Sequence, residues 1–259
     1  YVWFDALTSY ISTLGWGTDD KDFDYWVNGN PVQYCGKDNL RQQSAMWQAM
    51  LMAAGLPNSK HIIIDGFITS GGQKMSKSVG NVISPFEVIE TFKDVTDYPE
   101  DVLRFVLLHD VSSFEDGDIT MDSIKESYRS QLQNGIGNLT SRIMKMATTH
   151  LSAGINPEQI SFPSEYVSSI ANFDLKKAIE FVMSEFNAID KYIQDTEPFK
   201  VIKTDKEKGE ALIEEMRLRL YNSARLLQPF LPHTSDIIKS LVKNHQMPEK
   251  PLFNRLESN

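Results

Sequence analysis

The 259-residue sequence predicts an α/β domain with a parallel sheet, followed by an all-α helical bundle. Two observations carry this prediction. A strand, a helix and a second strand follow one another over residues 31–64, which is the βαβ order of a parallel sheet with a right-handed crossover. After Asp122 the apolar residues recur at helical spacing over long stretches without a strand pattern, which is typical of a helical bundle.

Composition narrows the class of protein. Hydrophobic residues make up 41% and charged residues 24% of the chain, the balance of an ordinary globular protein. No apolar run of about 18 residues predicts a membrane span, and no secretory signal is visible. The net charge of −9 argues against a general nucleic-acid binder, so RNA contacts must come from local patches. The single cysteine, Cys35, excludes an internal disulfide and favours a cytoplasmic location.

The first stretch, residues 1–11, predicts a strand-like start that becomes helical near Asp5. Apolar side chains then recur three and four residues apart on one helical face, at Trp3, Leu7, Tyr10, Ile11 and Leu14. Residues 15–30 are rich in Asp and Gly and predict a loop. The sequence starts inside a motif and without a Met, so we expect a fragment of a longer protein.

The βαβ unit comes next. Residues 31–36 predict a short buried strand, residues 40–54 a helix, and residues 60–64 the second strand. Asp38 or Asn39 is expected to cap the helix at its amino end. Ligands bind at the carboxyl ends of the strands in such sheets, so the loops that follow the two strands are candidate sites.

Residues 71–81 form a glycine-flanked loop whose two lysines, Lys74 and Lys77, are the only charged residues between Asp65 and Glu87. Mobile ammonium groups on such a loop suit a phosphate chain, because they stabilise its negative charge. The spacing of a Walker-type P-loop is missing. The sequence therefore predicts a phosphate-binding loop of another kind.

Helical segments dominate the rest of the chain. Short helices are predicted over residues 85–92 and 99–108, each with Pro at its start. The acidic joint at residues 113–118 lacks the spacing of a calcium loop and is interpreted as a solvated linker.

Four longer helices are predicted beyond this joint. The first spans roughly residues 123–151, and the second begins with Asp174 as its N-cap and ends at Pro198. A third helix runs over about 206–227, and a last one follows Pro232. We expect these helices to pack as a bundle.

Several motifs resemble a known family. The string Lys74-Met75-Ser76-Lys77-Ser78 is identical to the KMSKS signature of class I aminoacyl-tRNA synthetases, whose loop closes over ATP and stabilises the pyrophosphate leaving group. Residues 2–7, the Gly-Lys-Asp at 36–38, Trp47 and the Gly-Leu-Pro at 55–57 resemble the methionyl-tRNA synthetase branch. The order and spacing of these motifs also fit that branch.

The resemblance implies an architecture and an activity. Residues 1–84 would be the carboxyl-terminal half of a Rossmann-type catalytic domain, residues 85–122 a stem-contact region, and residues 123–259 an anticodon-binding bundle. The family activates methionine with ATP, giving methionyl-adenylate and pyrophosphate, and then esterifies tRNA(Met). ATP is expected with Mg²⁺, and zinc only in a part of the enzyme outside this chain. The sequence contains no His-Ile-Gly-His-like signature, so the fragment alone is expected to be inactive.

The resemblance also implies site residues. Lys74 and Lys77 would steady the departing pyrophosphate, and Asp38 would be an orienting carboxylate. The expected ATP-binding residues are Gly36, Asp65, Gly66, Ile68, Lys74, Met75, Ser76, Lys77 and Ser78. The expected methionine-binding residues are Trp3, Ala6, Leu7, Tyr10, Asn39, Gln42, Gln43 and Trp47. The expected anticodon-binding residues are Asn134, Asn138, Arg142 and Phe199. No metal ligands are expected.

This chain departs from the family pattern at a few of these positions. Gln42-Gln43 stands where many members carry Phe-His, and Asn39 replaces an aliphatic residue. Either the methionine pocket is remodelled, with Gln43 as a neutral hydrogen-bonding substitute, or methionine is held differently. Asp65 stands where a His is frequent, and Phe199 where the family stacks a Trp on an anticodon base. A smaller ring predicts weaker anticodon binding than Trp would give.

Two alternatives remain open from the sequence. A sister class I synthetase for leucine, isoleucine, valine or cysteine shares the KMSKS loop, although the set of Trp3, Ala6 and Tyr10 favours methionine. A non-catalytic tRNA-binding module would use only the helical bundle and would not need an intact loop. Expected partners are tRNA(Met), ATP and methionine, without a membrane, and the sequence predicts no oligomeric state.

Overall fold

A computed structural model describes residues 2–76, 78–158 and 160–256 of the chain. The chain divides into two compact units. The first contains the residues up to Ile68 together with Ser113–Gly117, and the second contains Thr69–Ser112 and the residues from Asp118 onward. Within the described residues, no helix is both long and apolar enough to cross a membrane.

The first unit contains the βαβ arrangement that the sequence predicts. Its elements are α1 (Val2–Ser12), α2 (Asp24–Val27), β1 (Val32–Gly36), α3 (Trp47–Ala53) and β2 (His61–Asp65). The strands β1 and β2 pair in parallel, in a register that joins Val32 to His61 at one end and Gly36 to Asp65 at the other. A small core of five buried side chains supports them, formed by Leu7, Ile11, Trp26, Trp47 and Leu51.

Several local predictions in this unit are wrong. The predicted loop over residues 15–30 contains the short helix α2, and the strand β1, predicted to be buried, has an exposed Tyr34. The chain is helical from Val2, and the strand-like start is not found. Leu7 and Ile11 lie four residues apart and are buried in the core, and this tertiary packing overrides the β preference of the aromatic residues before them. Neither Asp38 nor Asn39 caps the following helix, because both lie within a 3₁₀ turn, Lys37–Asn39, that follows β1 directly. A π-helical turn, Gln42–Met46, then leads into α3.

The second unit begins within a small sheet of order β4-β3-β5, made of β3 (Ile68–Ser70), β4 (Gln73–Lys74) and β5 (Gly117–Asp118). The pair β3 and β4 is antiparallel, with Thr69 opposite Lys74 and Ser70 opposite Gln73. The turn between these strands needs left-handed backbone at two successive residues, Gly71 (φ 63°) and Gly72 (φ 72°). Glycine adopts this conformation without steric cost.

The rest of the second unit is helical. Its helices are α4 (Pro85–Phe92), α5 (Pro99–Phe105), α6 (Met121–Ser127), α7 (Asn138–His150), α8 (Ser164–Ala171), α9 (Leu175–Thr196), α10 (Pro198–Thr204), α11 (Lys206–Leu227) and α12 (Pro232–Asn244). A π-helical run, Tyr128–Gly137, joins α6 to α7, which confirms one long helical segment there. The core extends from Val88 in α4 to Phe253 near the end of the chain.

Most helix predictions in this unit are confirmed, and two helices were missed. The bounds of α4 and α11 are those predicted, and Asp174 caps α9 by accepting a hydrogen bond from the Lys177 N–H at 3.1 Å. The missed helices are α8 and α10. Pro198 was expected only to end α9, but Glu197 ends it in left-handed backbone (φ 42°) and Pro198 is the first residue of α10.

Candidate functional sites

In the first unit, the carboxyl ends of β1 and β2 lie side by side, because Gly36 and Asp65 are partners in the register. Burial raises the pKa of Asp65 above its ordinary value. The pKa values of Tyr34 and Cys35 are raised as well, first by burial and then by the charge of Asp65. A partly desolvated carboxylate at this end of a parallel sheet is a candidate ligand-binding group.

Lys37 is held beside this edge by Asp116. Its Nζ lies 2.5 Å from both carboxylate oxygens of Asp116 and 4.5 Å from the centroid of the Phe67 ring. The Phe67 N–H also donates to Asp116 Oδ1 at 2.7 Å. The hydrogen bond from Lys37, followed by that from Phe67, lowers the pKa of Asp116. Asp116 therefore positions the Gly-Lys-Asp turn at residues 36–38 through its contact with Lys37.

Gly66 is a point of close backbone approach in the same region. A Cβ at this position would lie 2.1 Å from the backbone carbonyl of Glu115, so only glycine fits without a shift of the main chain. Phe114, Glu115, Asp116 and Asp118 are exposed, which agrees with the interpretation of residues 113–118 as a solvated linker. This stretch packs on Gly66 and binds Lys37, which residue spacing along the chain does not reveal.

Three of the expected methionine-binding residues meet in the first unit. The Tyr10 and Trp47 rings are 5.9 Å apart between centroids and tilted by 57°. Gln43 Nε2 donates to the Tyr10 hydroxyl at 3.0 Å. Trp26, which the sequence analysis did not select, packs edge-on against Trp47 at 5.9 Å and donates from Nε1 to the Pro57 carbonyl at 3.0 Å. We call Tyr10, Trp26, Gln43 and Trp47 the aromatic cluster.

Two polar atoms of the aromatic cluster are buried without a hydrogen-bond partner among the described residues. They are Gln43 Oε1, an acceptor, and Trp47 Nε1, a donor. Gln43 is 3% exposed and Trp47 1% exposed, so bulk water does not satisfy these atoms. An unpaired buried polar atom costs roughly 1–3 kcal/mol.

The other expected methionine-binding residues lie in different surroundings. Leu7 is buried in the core, Trp3 and Ala6 are exposed on α1, and Asn39 is half-buried in the 3₁₀ turn. Gln42 is half-buried, and its Oε1 has no partner within the described part of the chain. The structure thus groups Tyr10, Gln43 and Trp47, and the methionine-binding roles of these and of the other residues stay predictions.

In the second unit, Asp118 holds the base of the KMSKS loop. Its Oδ1 accepts hydrogen bonds from Thr69 Oγ1 at 2.7 Å and from the Gly72 N–H at 2.8 Å. These two bonds, the first being the larger cause, lower the pKa of Asp118. Sequence reasoning missed this residue because 46 positions separate it from Gly72, and only the pairing of β5 with β3 brings them together.

Asn81 connects the two arms of the loop. Its Oδ1 accepts from the Ser76 N–H at 2.9 Å, and its Nδ2 donates to the Lys74 carbonyl at 3.2 Å. The hydroxyls of Ser76 and Ser78 are 2.8 Å apart, and Met75 packs against the core of the unit. The side chain of Lys74 is exposed, as a phosphate donor should be. The other expected catalytic lysine, Lys77, lies outside the described residues.

The expected ATP-binding residues are therefore divided between the units. Gly36, Asp65, Gly66 and Ile68 belong to the first unit, as does Asp38, an exposed residue of the 3₁₀ turn. Lys74, Met75, Ser76 and Ser78 belong to the second.

Two of the expected anticodon-binding residues, Arg142 and Phe199, line one cavity of about 310 Å³ in the second unit. Arg142 Nη1 lies 2.6 Å from Asp190 Oδ1, and Phe199 is 45% exposed. Asn138 is exposed one helical turn before Arg142, and Asn134 is exposed in the π-helical run before that. The remaining lining residues are Lys145, Met146, Thr149, His150 and Ile193.

A metal site is not formed by the side chains that the structure describes. No group of three or more His, Cys, Asp or Glu side chains comes together within residues 2–76, 78–158 and 160–256. Mg²⁺ bound mainly through phosphate oxygens does not need such a cage.

Comparison with known proteins gives consistent matches along the chain. The family model described as tRNA synthetases class I (M) matches residues 1–144, and the one described as anticodon binding domain of methionyl tRNA ligase matches residues 148–254. Methionine–tRNA ligases of Fusobacterium nucleatum and Thermotoga maritima are each 31% identical to this chain, and the alignments cover 93% and 96% of it. The same alignments cover 39% and 41% of the two relatives.

Solved structures agree with these relatives. Mycobacterium tuberculosis methionyl-tRNA synthetase in complex with methionyl-adenylate matches with a TM-score of 0.80 and 25% identity, over 98% of this chain and 56% of that one. The apo form of that enzyme matches with a TM-score of 0.79 at 22% identity, which concerns the fold alone. The chain thus spans about half the length of the proteins that it matches.

Proposed function

This chain belongs to the methionyl-tRNA synthetases of class I, and from that premise we propose that it is the carboxyl-terminal part of an ATP-dependent methionine–tRNA ligase of the cytoplasm. The whole enzyme would activate methionine with ATP and attach it to tRNA(Met). Residues 1–84 would supply half of the catalytic domain, 85–122 a stem-contact region, and 123–259 the anticodon-binding bundle.

The observation that carries the proposal is the braced KMSKS loop. Asp118 holds its base, Asn81 joins its arms, and Lys74 is an exposed residue of the loop. In methionine activation, a carboxylate oxygen of the amino acid attacks the α-phosphorus of ATP, and pyrophosphate leaves with the bridging oxygen. Lys74 and Lys77 would stabilise the charge that develops on the leaving group, and Mg²⁺ carried by ATP would neutralise part of the same charge.

The aromatic cluster would bind the methionine side chain. A thioether contacts aromatic rings favourably, by roughly 0.3–1.5 kcal/mol per contact, and the Tyr10 and Trp47 rings offer such walls. The unpaired Trp47 Nε1 offers a donor to the substrate, and the unpaired Gln43 Oε1 an acceptor. At the edge of the sheet, Gly36, Asp65, Gly66 and Ile68 would contact ATP, while Asp38 would orient the reacting groups.

The cavity of Arg142 and Phe199 would bind the anticodon. A base could stack on the exposed Phe199 ring, and the Arg142 guanidinium with the Asn138 and Asn134 amides could read base edges by hydrogen bonding. The activated methionine would meanwhile be transferred to the 3′ end of the tRNA, whose hydroxyl attacks the carbonyl carbon of the adenylate and releases AMP.

The test is amino-acid-dependent ATP–pyrophosphate exchange with the full-length parent protein and each of the twenty amino acids. Exchange with methionine alone is expected. Lys74→Ala should lower the exchange rate by about 10²–10³-fold, because one charge-stabilising donor is lost. Lys60→Gln is the matched control, since it removes a lysine charge at the opposite end of β2 and should leave the rate unchanged.

Other outcomes would redirect the assignment. Exchange with leucine, isoleucine, valine or cysteine instead of methionine would indicate a sister synthetase. Exchange with no amino acid in a folded parent that still binds tRNA would favour a tRNA-binding module. The 259-residue chain by itself is expected to show no exchange.

A further inference from the structure

A cavity in the second unit lies between α8, α11 and α12, away from the residues assigned above. Its volume is about 730 Å³, within the range of small-molecule sites. Its walls combine aromatic rings with cations, namely Phe162, Tyr166, Tyr221, Arg225, Lys239 and Lys243. It shares no lining residue with the cavity of Arg142 and Phe199.

The helical spacing of the lining residues on α11 and α12 places them on the helix faces that border the cavity. On α12, Asp236, Lys239, Ser240 and Lys243 follow one another at positions i, i+3, i+4 and i+7, so they share one face. Arg225 lies one turn after Tyr221 on α11, and both line the same cavity. The site is therefore built on rigid helices.

The cavity carries positive charge that carboxylates leave uncompensated. Lys239 is paired with Asp236 at 2.8 Å and also bonds to Gln228. Within the described ranges, no carboxylate lies within 4.0 Å of Arg225 or Lys243. Two cations without a carboxylate partner among the described residues, beside one cavity in a chain of net charge −9, indicate an anionic ligand.

Aromatic rings contact both of these cations, Arg225 and Lys243. The Arg225 guanidinium lies 4.9 Å from the Phe162 centroid and also donates from Nη1 to the Ile160 carbonyl at 3.0 Å. Lys243 Nζ lies 5.5 Å from the Tyr221 centroid. A guanidinium fixed in this way can bind phosphate oxygens and offer its plane to a base, and the Phe162 ring is itself 46% exposed.

We propose that this cavity binds a nucleotide unit, that is, a phosphate together with its planar base. Arg225 and Lys243 bind the phosphate, and the base stacks against the Arg225–Phe162 pair. The Ser240 hydroxyl and the Asn244 amide line the same space and supply hydrogen bonds. The nucleotide is either a free mononucleotide or an unpaired nucleotide of an RNA strand. This inference is independent of the proposed ligase activity.

The experiment is calorimetric titration of the chain with 5′-AMP, with a single-stranded uridine hexanucleotide, with inorganic phosphate and with an acidic hexapeptide. AMP or the hexanucleotide should bind with an affinity that falls as salt rises. Arg225→Gln and Lys243→Gln should each weaken this binding at least tenfold. Ser240→Glu, at an exposed position where the fold tolerates a new side chain, should do the same through repulsion. Lys208→Gln is the control, an exposed charge on α11 that lines no cavity described here, and should change affinity less than twofold.

The source of the nucleotide follows from the relative affinities. Saturable binding of AMP indicates a mononucleotide site, and at least tenfold tighter binding of the hexanucleotide indicates an RNA strand. The proposal is overturned if neither AMP nor the hexanucleotide binds. It is also overturned if inorganic phosphate or the acidic peptide binds as tightly as AMP and the hexanucleotide do, or if the folded Ser240→Glu variant binds nucleotide as tightly as the parent.

Discussion

At the scale of single residues, unsatisfied polar atoms mark the region where we expect methionine. Six buried side-chain atoms lack a partner among the described residues, and four of them belong to Gln33, Gln42, Gln43 and Trp47. Folded proteins satisfy nearly all buried polar groups, and the exceptions tend to have a functional reason. Their concentration over fifteen successive positions supports a site that is completed by its ligand.

Tyr10→Phe tests the aromatic cluster. The change removes the hydroxyl that accepts from Gln43 Nε2 and leaves that buried donor unpaired, which should destabilise the fold by about 1–3 kcal/mol. In the full-length enzyme, the KM for methionine should rise several-fold while the KM for ATP stays constant. Tyr25→Phe is the control, because Tyr25 is 72% exposed and should affect neither value. An unchanged KM for methionine in the Tyr10 variant would place the substrate elsewhere.

Two carboxylates of the first unit, Asp65 and Asp116, should respond to pH in opposite directions. The raised pKa of Asp65 means that folding opposes its charge, a penalty that is absent below the ordinary value of 3.8 and present once the pH exceeds the folded pKa. The lowered pKa of Asp116 means that its charge stabilises the fold above 3.8, and that this contribution is lost as the pH falls through the folded pKa. Asp65→Asn should therefore raise the Tm at pH 7, and Asp116→Asn should lower it.

Both differences in Tm between variant and parent should vanish at a pH below the two folded pKa values, where the carboxyls of the parent protein are protonated. Thermal melts of the two variants and the parent across the acid range check this. Tm changes of the same sign in Asp65→Asn and Asp116→Asn at pH 7 would contradict the opposite pKa directions of the two carboxyls.

At the scale of elements, the β3–β4 hairpin and its loop are held by side chains from outside the motif. Asp118 and Asn81 make four hydrogen bonds to the hairpin and loop, while the signature residues Lys74 and Ser78 stay exposed. These bonds fix the backbone of the hairpin and loop at Gly72, Lys74 and Ser76.

Asp118→Ala should therefore damage the loop without touching the methionine pocket. Losing two hydrogen bonds at the base of the loop should lower the kcat of pyrophosphate exchange by about tenfold, because these bonds position the loop that carries Lys74. The KM for methionine should not change. Asp118→Asn keeps an acceptor oxygen and should lie between Ala and the parent. A larger effect on the KM for methionine than on kcat would contradict a role in positioning the loop.

The element α7 leads to a prediction about tRNA. Arg142 is paired with Asp190, so Asp190→Asn should free the guanidinium and change the KM for tRNA, whereas Arg142→Gln should raise that KM about tenfold. Phe199→Trp should lower it, because a larger ring stacks more strongly on a base. Aminoacylation with varied tRNA measures all three, and Tyr25→Phe again serves as the control. A Phe199→Trp enzyme with unchanged KM would argue against stacking on this residue.

At the scale of the whole molecule, the two units have very different cores. Five buried side chains form the first core, and the second extends through most of the helices of its unit. A small core buries less apolar surface and resists unfolding less. We therefore expect the two units to unfold in separate steps.

Two spectroscopic probes can separate these steps. All four tryptophans, Trp3, Trp16, Trp26 and Trp47, belong to the first unit, whereas most of the helical signal comes from the second. In a urea titration, tryptophan fluorescence should change at lower denaturant than the far-UV circular dichroism. Coincident transitions would instead mean that the chain unfolds as one cooperative body.

Local signals predicted most of the fold, and long-range contacts account for what they missed. Pro85, Asp174 and the apolar stripes fix helix bounds because capping and periodicity act within a few residues. The sequence indicated only a solvated joint at Asp116 and Asp118. Their contacts were not predicted because their partners, Lys37 and Gly72, lie 79 and 46 positions away. The hydrogen bond between Tyr10 and Gln43 was not predicted for the same reason, although both were expected methionine-binding residues.

The path of the chain through the first unit has a consequence for synthesis on the ribosome. Ser113–Gly117 belongs to the first unit, yet Thr69–Ser112 of the second unit precedes it. The contacts of Asp116 with Lys37 and of Glu115 with Gly66 form only after this late segment has been translated. The first unit therefore stays incomplete while the more than forty residues of Thr69–Ser112 are translated, and its apolar surface is covered later than a contiguous unit's would be.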